Sequence, residues 1–126
     1  IFIMPTEIFN PAASAPPCVM VWTANVPHPE DKKTFFGYFR DDGFVKRKKL
    51  GRIDAYGKWE EIKKKWMNLY QNKIEEPGYS VLHTVTHTDE WCAEAYMETD
   101  YSTLCDDDFI RKMRDYAAFL VQSEEF

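Results

Sequence analysis

The stretch IFNPAASAPPCVMVW, residues 8–22, decides how this chain is read. An Asn-Pro dipeptide, Asn10-Pro11, opens a loop of small residues and prolines that gives way abruptly to an apolar run. Asn favours turns and Pro fixes φ, so the dipeptide reads as a turn device unless its neighbours supply binding chemistry. The run CVMVWT, residues 18–23, reads as a continuous apolar strand covered on both faces. Upstream, residues 1–4 form a second short apolar run closed by Pro5, a buried strand whose earlier part is missing. The chain opens on that strand without an initiating Met, and the expectation is a fragment cut from something longer.

Downstream, two prolines in residues 25–31 mark a turn. TFFGYFR, residues 34–40, is aromatic and strand-like, with Gly37 as a possible bulge. Asp41-Asp42-Gly43 is a tight-turn signal that predicts a hairpin into Phe44-Val45. A basic stretch, KRKKLGR, fills residues 46–52. The first clear helix spans residues 59–71, where Trp59, Ile62, Trp66, Leu69 and Tyr70 share one stripe. Residues 79–88 read as extended, and residues 90–101 stay ambiguous between a short helix and an extended segment. The second clear helix covers residues 106–121. Its apolar face is Phe109, Met113, Tyr116, Ala117, Leu120 and Val121, and Asp106, Asp107 and Asp108 stand at its N-terminus.

Composition sets the outer bounds. At 126 residues the chain suffices for one compact domain. Aromatics at 16% predict a core dominated by large rings. A net charge of −5 argues against nucleic-acid binding by the whole surface but leaves room for a local basic patch. Cys18, Cys92 and Cys105 are odd in number and irregularly spaced, which fits free thiols in a reducing cytoplasm. No apolar run approaches the roughly 18 residues of a membrane span, and no signal peptide precedes one.

Residues 1–24 resemble the last two strands of the catalytic domain in adenine-N6 DNA methyltransferases, of the kind that forms the methylation subunit of type I restriction–modification systems. The resemblance rests on Ile1-Phe2-Ile3-Met4-Pro5, on Phe9, on the small-residue loop 10–17, and on the apolar strand 18–23. It extends to Asp42-Gly43-Phe44 with the basic run behind it, and to residues 90–101 followed by an acidic helix start. It implies S-adenosylmethionine as the cofactor of the parent enzyme, DNA as its substrate, and specificity and restriction subunits as partners. The family's Phe-x-Gly-x-Gly cofactor loop and its Asn/Asp-Pro-Pro-Phe/Tyr catalytic motif are both absent here. Asn10-Pro11-Ala12-Ala13 lacks the second Pro and the aromatic that would stack on an extruded adenine, so the turn reading is preferred. No cofactor, catalytic or metal residue is therefore assigned to this chain.

Lys46, Arg47, Lys48, Lys49 and Arg52 are the candidate DNA contacts, because their charges can neutralise phosphates. Phe44 and Tyr56 flank them and can pack on sugar or base; the competing reading is a solvated loop. Trp59, Trp66 and Tyr70 are read first as core and second as a candidate partner interface. His83 and His87 lie about 13 Å apart on an extended chain, too far for one zinc ion. The scattered carboxylates are explained by helix caps and a solvated face.

The expected architecture is α+β: an N-terminal antiparallel strand pair and hairpin at the edge of a Rossmann-like methyltransferase sheet, followed by two helices packed over it. Within one domain, residues 1–24 would be the last strands, 25–58 the basic hairpin region and 59–126 the helical C-terminal region. The expected role is a non-catalytic part of a cytoplasmic DNA methyltransferase that binds neither cofactor nor DNA tightly alone. A free-standing protein-interaction module and a small nucleic-acid-binding domain remain the alternatives.

Overall fold

The computed structural model describes residues 1–98 and 101–123, and its architecture is α+β. Among the described residues there are six strands: β1 (Phe2–Ile3), β2 (Cys18–Val19), β3 (Lys33–Tyr38), β4 (Val45–Arg47), β5 (Gly51–Ile53) and β6 (Ser80–Thr84). Two α-helices, α1 (Trp59–Gln71) and α2 (Asp106–Gln122), accompany a 3₁₀ turn at Ala93–Ala95. The main sheet is mixed, in the order β2-β1-β3-β6. β1 runs antiparallel to β2 and parallel to β3, and β3 runs antiparallel to β6. β4 and β5 form a separate antiparallel ribbon.

β3 organises the molecule because its alternate side chains enter two different layers. Phe35 and Phe39 face α1, where Phe39 stacks on Trp66 with ring centroids 4.6 Å apart and an interplanar angle of 6°. Phe36 points the other way, is fully buried, and meets Tyr96 at 5.2 Å. Gly37 lies between them. A Cβ there would come within 2.9 Å of both the Phe2 and Phe39 rings, so the missing side chain is what lets these rings close over the strand. The ladder through Gly37 is regular, paired to Phe2 on one side and Ser80 on the other, so the expected bulge is absent.

α1 matches the bounds the hydrophobic stripe predicts. Asp54 closes its first turn by accepting hydrogen bonds from the backbone N–H of Lys58 at 2.9 Å and of Trp59 at 3.4 Å. Its stripe joins the core of Phe2, Phe35, Phe39, Trp66 and Leu69, with Trp59, Ile62 and Tyr70 packed against it.

Four further expectations are corrected. The N-terminal pair does not stand at the sheet edge with both strands, since β1 lies inside the sheet with β2 on one side and β3 on the other. The run 18–23 is not a covered strand: its ladder stops at Val19, and Trp22 is 67% exposed, touching Trp91 at 5.6 Å. β2 is an outermost strand of its sheet, and both of its residues are exposed despite their apolar character. The hairpin predicted at residues 41–43 forms one step later, between β4 and β5, because β1 and β6 already pair with both sides of β3. The second helix forms as predicted but is not packed over the sheet: none of its described residues is buried, and Met113 is 71% exposed. The ambiguous segment 90–101 resolves as the 3₁₀ turn with irregular flanks, apart from residues 99 and 100, which lie outside the described residues.

Candidate nucleic-acid interface

The basic run folds into the β4–β5 hairpin. Val45 pairs with Ile53, Lys46 with Arg52 and Arg47 with Gly51. The chain reverses through residues 48–50, closed by the Leu50 N–H donating to the Arg47 carbonyl at 3.2 Å. Lys49 at φ 67° and Gly51 at φ 73° take the left-handed backbone this reversal requires. Lys46, Arg47, Lys48 and Lys49 are all exposed, so four cations crowd one short ribbon. The arrangement concentrates positive charge on a chain whose total is −5, and phosphates would find it attractive.

The five basic candidates do not share one role. Arg52 donates through Nη2 to both carboxylate oxygens of Asp42, at 2.8 and 2.9 Å, and its side chain is only 18% exposed. Asp42, itself buried, also accepts the Phe44 N–H at 3.0 Å. Arg52 thus fastens the hairpin to the end of β3. This leaves Lys46, Arg47, Lys48 and Lys49 as the solvent-facing charges. Arg47 is partly positioned, since its Nη2 donates to the Tyr56 hydroxyl at 3.1 Å and its guanidinium lies 5.8 Å from the Tyr56 ring centre. Phe44 does not stand open beside the run: it meets Trp59 edge-on at 5.8 Å, with the Arg52 guanidinium 5.6 Å from its ring centre.

Beside the hairpin lies an open cavity of about 340 Å³, bounded by residues 5–7, by the chain leaving β3, and by Phe44 and Arg52. Arg40 stands at this cavity, its Nη2 donating to Thr6 Oγ1 at 2.6 Å. No motif marks Arg40: it is a single basic residue after an aromatic strand, and only the fold brings it to the cavity beside the hairpin. The Asp42–Arg52 pair was likewise hidden, because ten residues and a strand reversal separate its members.

The remaining candidates are placed as follows. Trp59, Trp66 and Tyr70 are engaged within the chain, Tyr70 meeting Phe2 at 5.0 Å and Phe35 at 5.6 Å. Asn10-Pro11 lies in an exposed loop of turns, with the Asn10 N–H donating to the Glu7 carbonyl at 3.1 Å. His83 stacks on Tyr96 at 4.0 Å. Among the described residues no group of three or more His, Cys, Asp or Glu side chains is arranged to hold a metal ion. Among them also, no helix is long and apolar enough to cross a membrane.

The chain is 30% identical over 105 residues to the type II restriction enzyme and methyltransferase RM.BcgI of Heyndrickxia coagulans. The match takes in 82% of this chain and 16% of that protein, so the chain spans about a sixth of the relative's length. No family model matches the chain, and no solved structure matches it. The similarity relates the chain to the methyltransferases of restriction–modification systems. It does not extend to the methylation subunit of type I systems in particular.

Proposed function

We propose that this chain is a DNA-contacting, non-catalytic part of a restriction–modification DNA methyltransferase. The observation that supports this most is the exposed four-cation hairpin in a chain 30% identical to a restriction enzyme and methyltransferase. In this reading the whole enzyme acts on the exocyclic amine of adenine, and S-adenosylmethionine supplies the methyl group. The glycine-rich cofactor loop and the Asn-Pro-Pro-aromatic motif are missing from these 126 residues, so no step of methyl transfer is assigned to them. Lys46, Arg47, Lys48 and Lys49 neutralise backbone phosphates. Arg52 holds their ribbon in place through Asp42. The sheet would lie at the edge of the catalytic domain's own sheet, and the open apolar face of α2 would meet the rest of the enzyme or its specificity and restriction subunits.

The test is a gel shift with a short DNA duplex at low salt, using the wild-type chain and a variant with Lys46, Arg47, Lys48 and Lys49 all replaced by Ala. Binding should be weak, salt-dependent and lost in the variant. Equal binding by both proteins across the salt range would reject the reading. A parallel assay with labelled S-adenosylmethionine should show no methyl transfer by the chain alone; clear activity would overturn the non-catalytic assignment.

The open α2 face favours a second reading, a protein-interaction module. Light scattering separates the two readings on one point: concentration-dependent association abolished by Met113→Glu, in a chain that ignores DNA, would favour the module.

A further inference from the structure

The cavity beside the hairpin is lined by two arginines, Arg40 and Arg52, and by the carboxylates of Glu7, Asp41 and Asp42. Three carboxylates lie around this cavity, yet each is directed elsewhere. Asp42 pairs with Arg52. Asp41 accepts the Gly43 N–H at 2.9 Å. Glu7 stands 3.9 Å from Arg52 Nε. Among the described residues none of them comes within ion-pair distance of Arg40. Arg40 is exposed and is nevertheless held on two sides, by Thr6 Oγ1 at 2.6 Å and by the Tyr38 ring, whose centre is 5.7 Å from its guanidinium carbon. A guanidinium presents five donors in a rigid fork that matches phosphate oxygens. One bond to a hydroxyl leaves most of that fork open, and a side chain already bonded to Thr6 has less rotamer freedom to lose when an anion arrives.

The position matters as much as the group. Phe44 and Arg52 line the same cavity and also form the root of the hairpin. Lys46 pairs directly across from Arg52 and shares its face of the ribbon. Arg40 therefore shares its cavity with the Asp42–Arg52 clasp, and Lys46 stands across the ribbon from that clasp's arginine.

Resting on the reading of the hairpin as a DNA contact, we propose that Arg40, held by Thr6 and Tyr38, is a second phosphate site, which takes a DNA backbone phosphate adjacent to those on the hairpin. The cavity gives the neighbouring sugar room, and the Tyr38 ring supplies an apolar wall. This extends the interface beyond the basic run to a residue that the charge pattern of the sequence does not mark.

The experiment is fluorescence anisotropy with a labelled DNA duplex, titrated with the full chain over a range of salt concentrations. Arg40→Ala should raise Kd several-fold and reduce the slope of log K against log salt by about 0.9, the share of one phosphate. Arg40→Lys should keep the slope while losing affinity, because the charge remains and the fork is gone. Lys112→Ala, an exposed cation on α2, serves as the control and should change neither quantity. Thermal melting confirms that each variant is folded, and Arg40→Gln replaces Arg40→Ala if the latter is not. If Arg40→Ala binds like the wild type while the four-alanine hairpin variant does not, the Arg40 site falls and the hairpin reading stands. If neither variant differs from the wild type, or the wild type does not bind at low salt, both fall.

Discussion

α1 and α2 carry comparable amphipathic stripes but meet different fates. In α1 the stripe closes the core, with Trp66 and Leu69 buried against β1 and β3. In α2 the stripe is open to solvent, and Phe109, Met113, Tyr116 and Val121 are all exposed. Periodicity shows that a segment wants one side covered; it does not show what covers it. α1 is delivered to the sheet by the hairpin, which Asp42 and Arg52 anchor to the end of β3, and by Asp54, which caps its first turn. α2 follows an irregular stretch with only a 3₁₀ turn for regular structure, and no comparable clasp ties it to the sheet among the described residues.

The contrast predicts unequal sensitivity to mutation. Trp66→Ala removes the ring stacked on Phe39 and should destabilise the fold by about 3–5 kcal/mol in urea denaturation. Met113→Ala, at the matching position on the open stripe, should stay within about 0.5 kcal/mol of wild type. A large loss at Met113 would mean that α2 packs after all. The helix caps should differ in the same sense by a smaller margin. Asp54→Ala leaves the first amides of α1 unpaired and should cost about 1 kcal/mol of global stability, because α1 belongs to the core. Asp108→Asn should fray only α2, visible as a small loss of helical circular dichroism with the urea midpoint unmoved.

The smallest expected effect concerns pH. The hydrogen bond from the Cys105 backbone N–H, followed by that from its thiol, holds the Asp108 carboxyl below its ordinary value of 3.8. A lowered folded-state pKa contributes stability above the ordinary value and loses it as pH falls through the lowered one. The helical signal of α2 should therefore persist to below pH 3.8 and then decline. In Asp108→Asn this acid-linked step should shrink.

What was legible in the sequence was local. The bounds of α1, the aromatic strand and the acidic start of α2 all follow from spacing and capping chemistry that neighbouring residues carry themselves. What was not legible was pairing. CVMVWT has the composition of a buried strand, and nothing in those six residues says that β2 lies outermost with neither face covered. The turn signal at Asp41-Asp42-Gly43 is real, but Asp42 uses its carboxylate to hold Phe44 and Arg52 and does not turn a hairpin. At the candidate site the four solvent-facing cations could be read from charge alone. The separate role of Arg52 and the presence of Arg40 depend on contacts across ten and thirty-four residues, beyond the reach of any short motif.

The measurement that bears most directly on the account is a map of backbone amide shifts on adding a short DNA duplex to the ¹⁵N-labelled chain at low salt. The largest changes should fall on residues 46–50 and on Arg40, fade as salt rises, and leave α2 unmoved. Changes centred on α2, or an unaltered spectrum at saturating DNA, would contradict it.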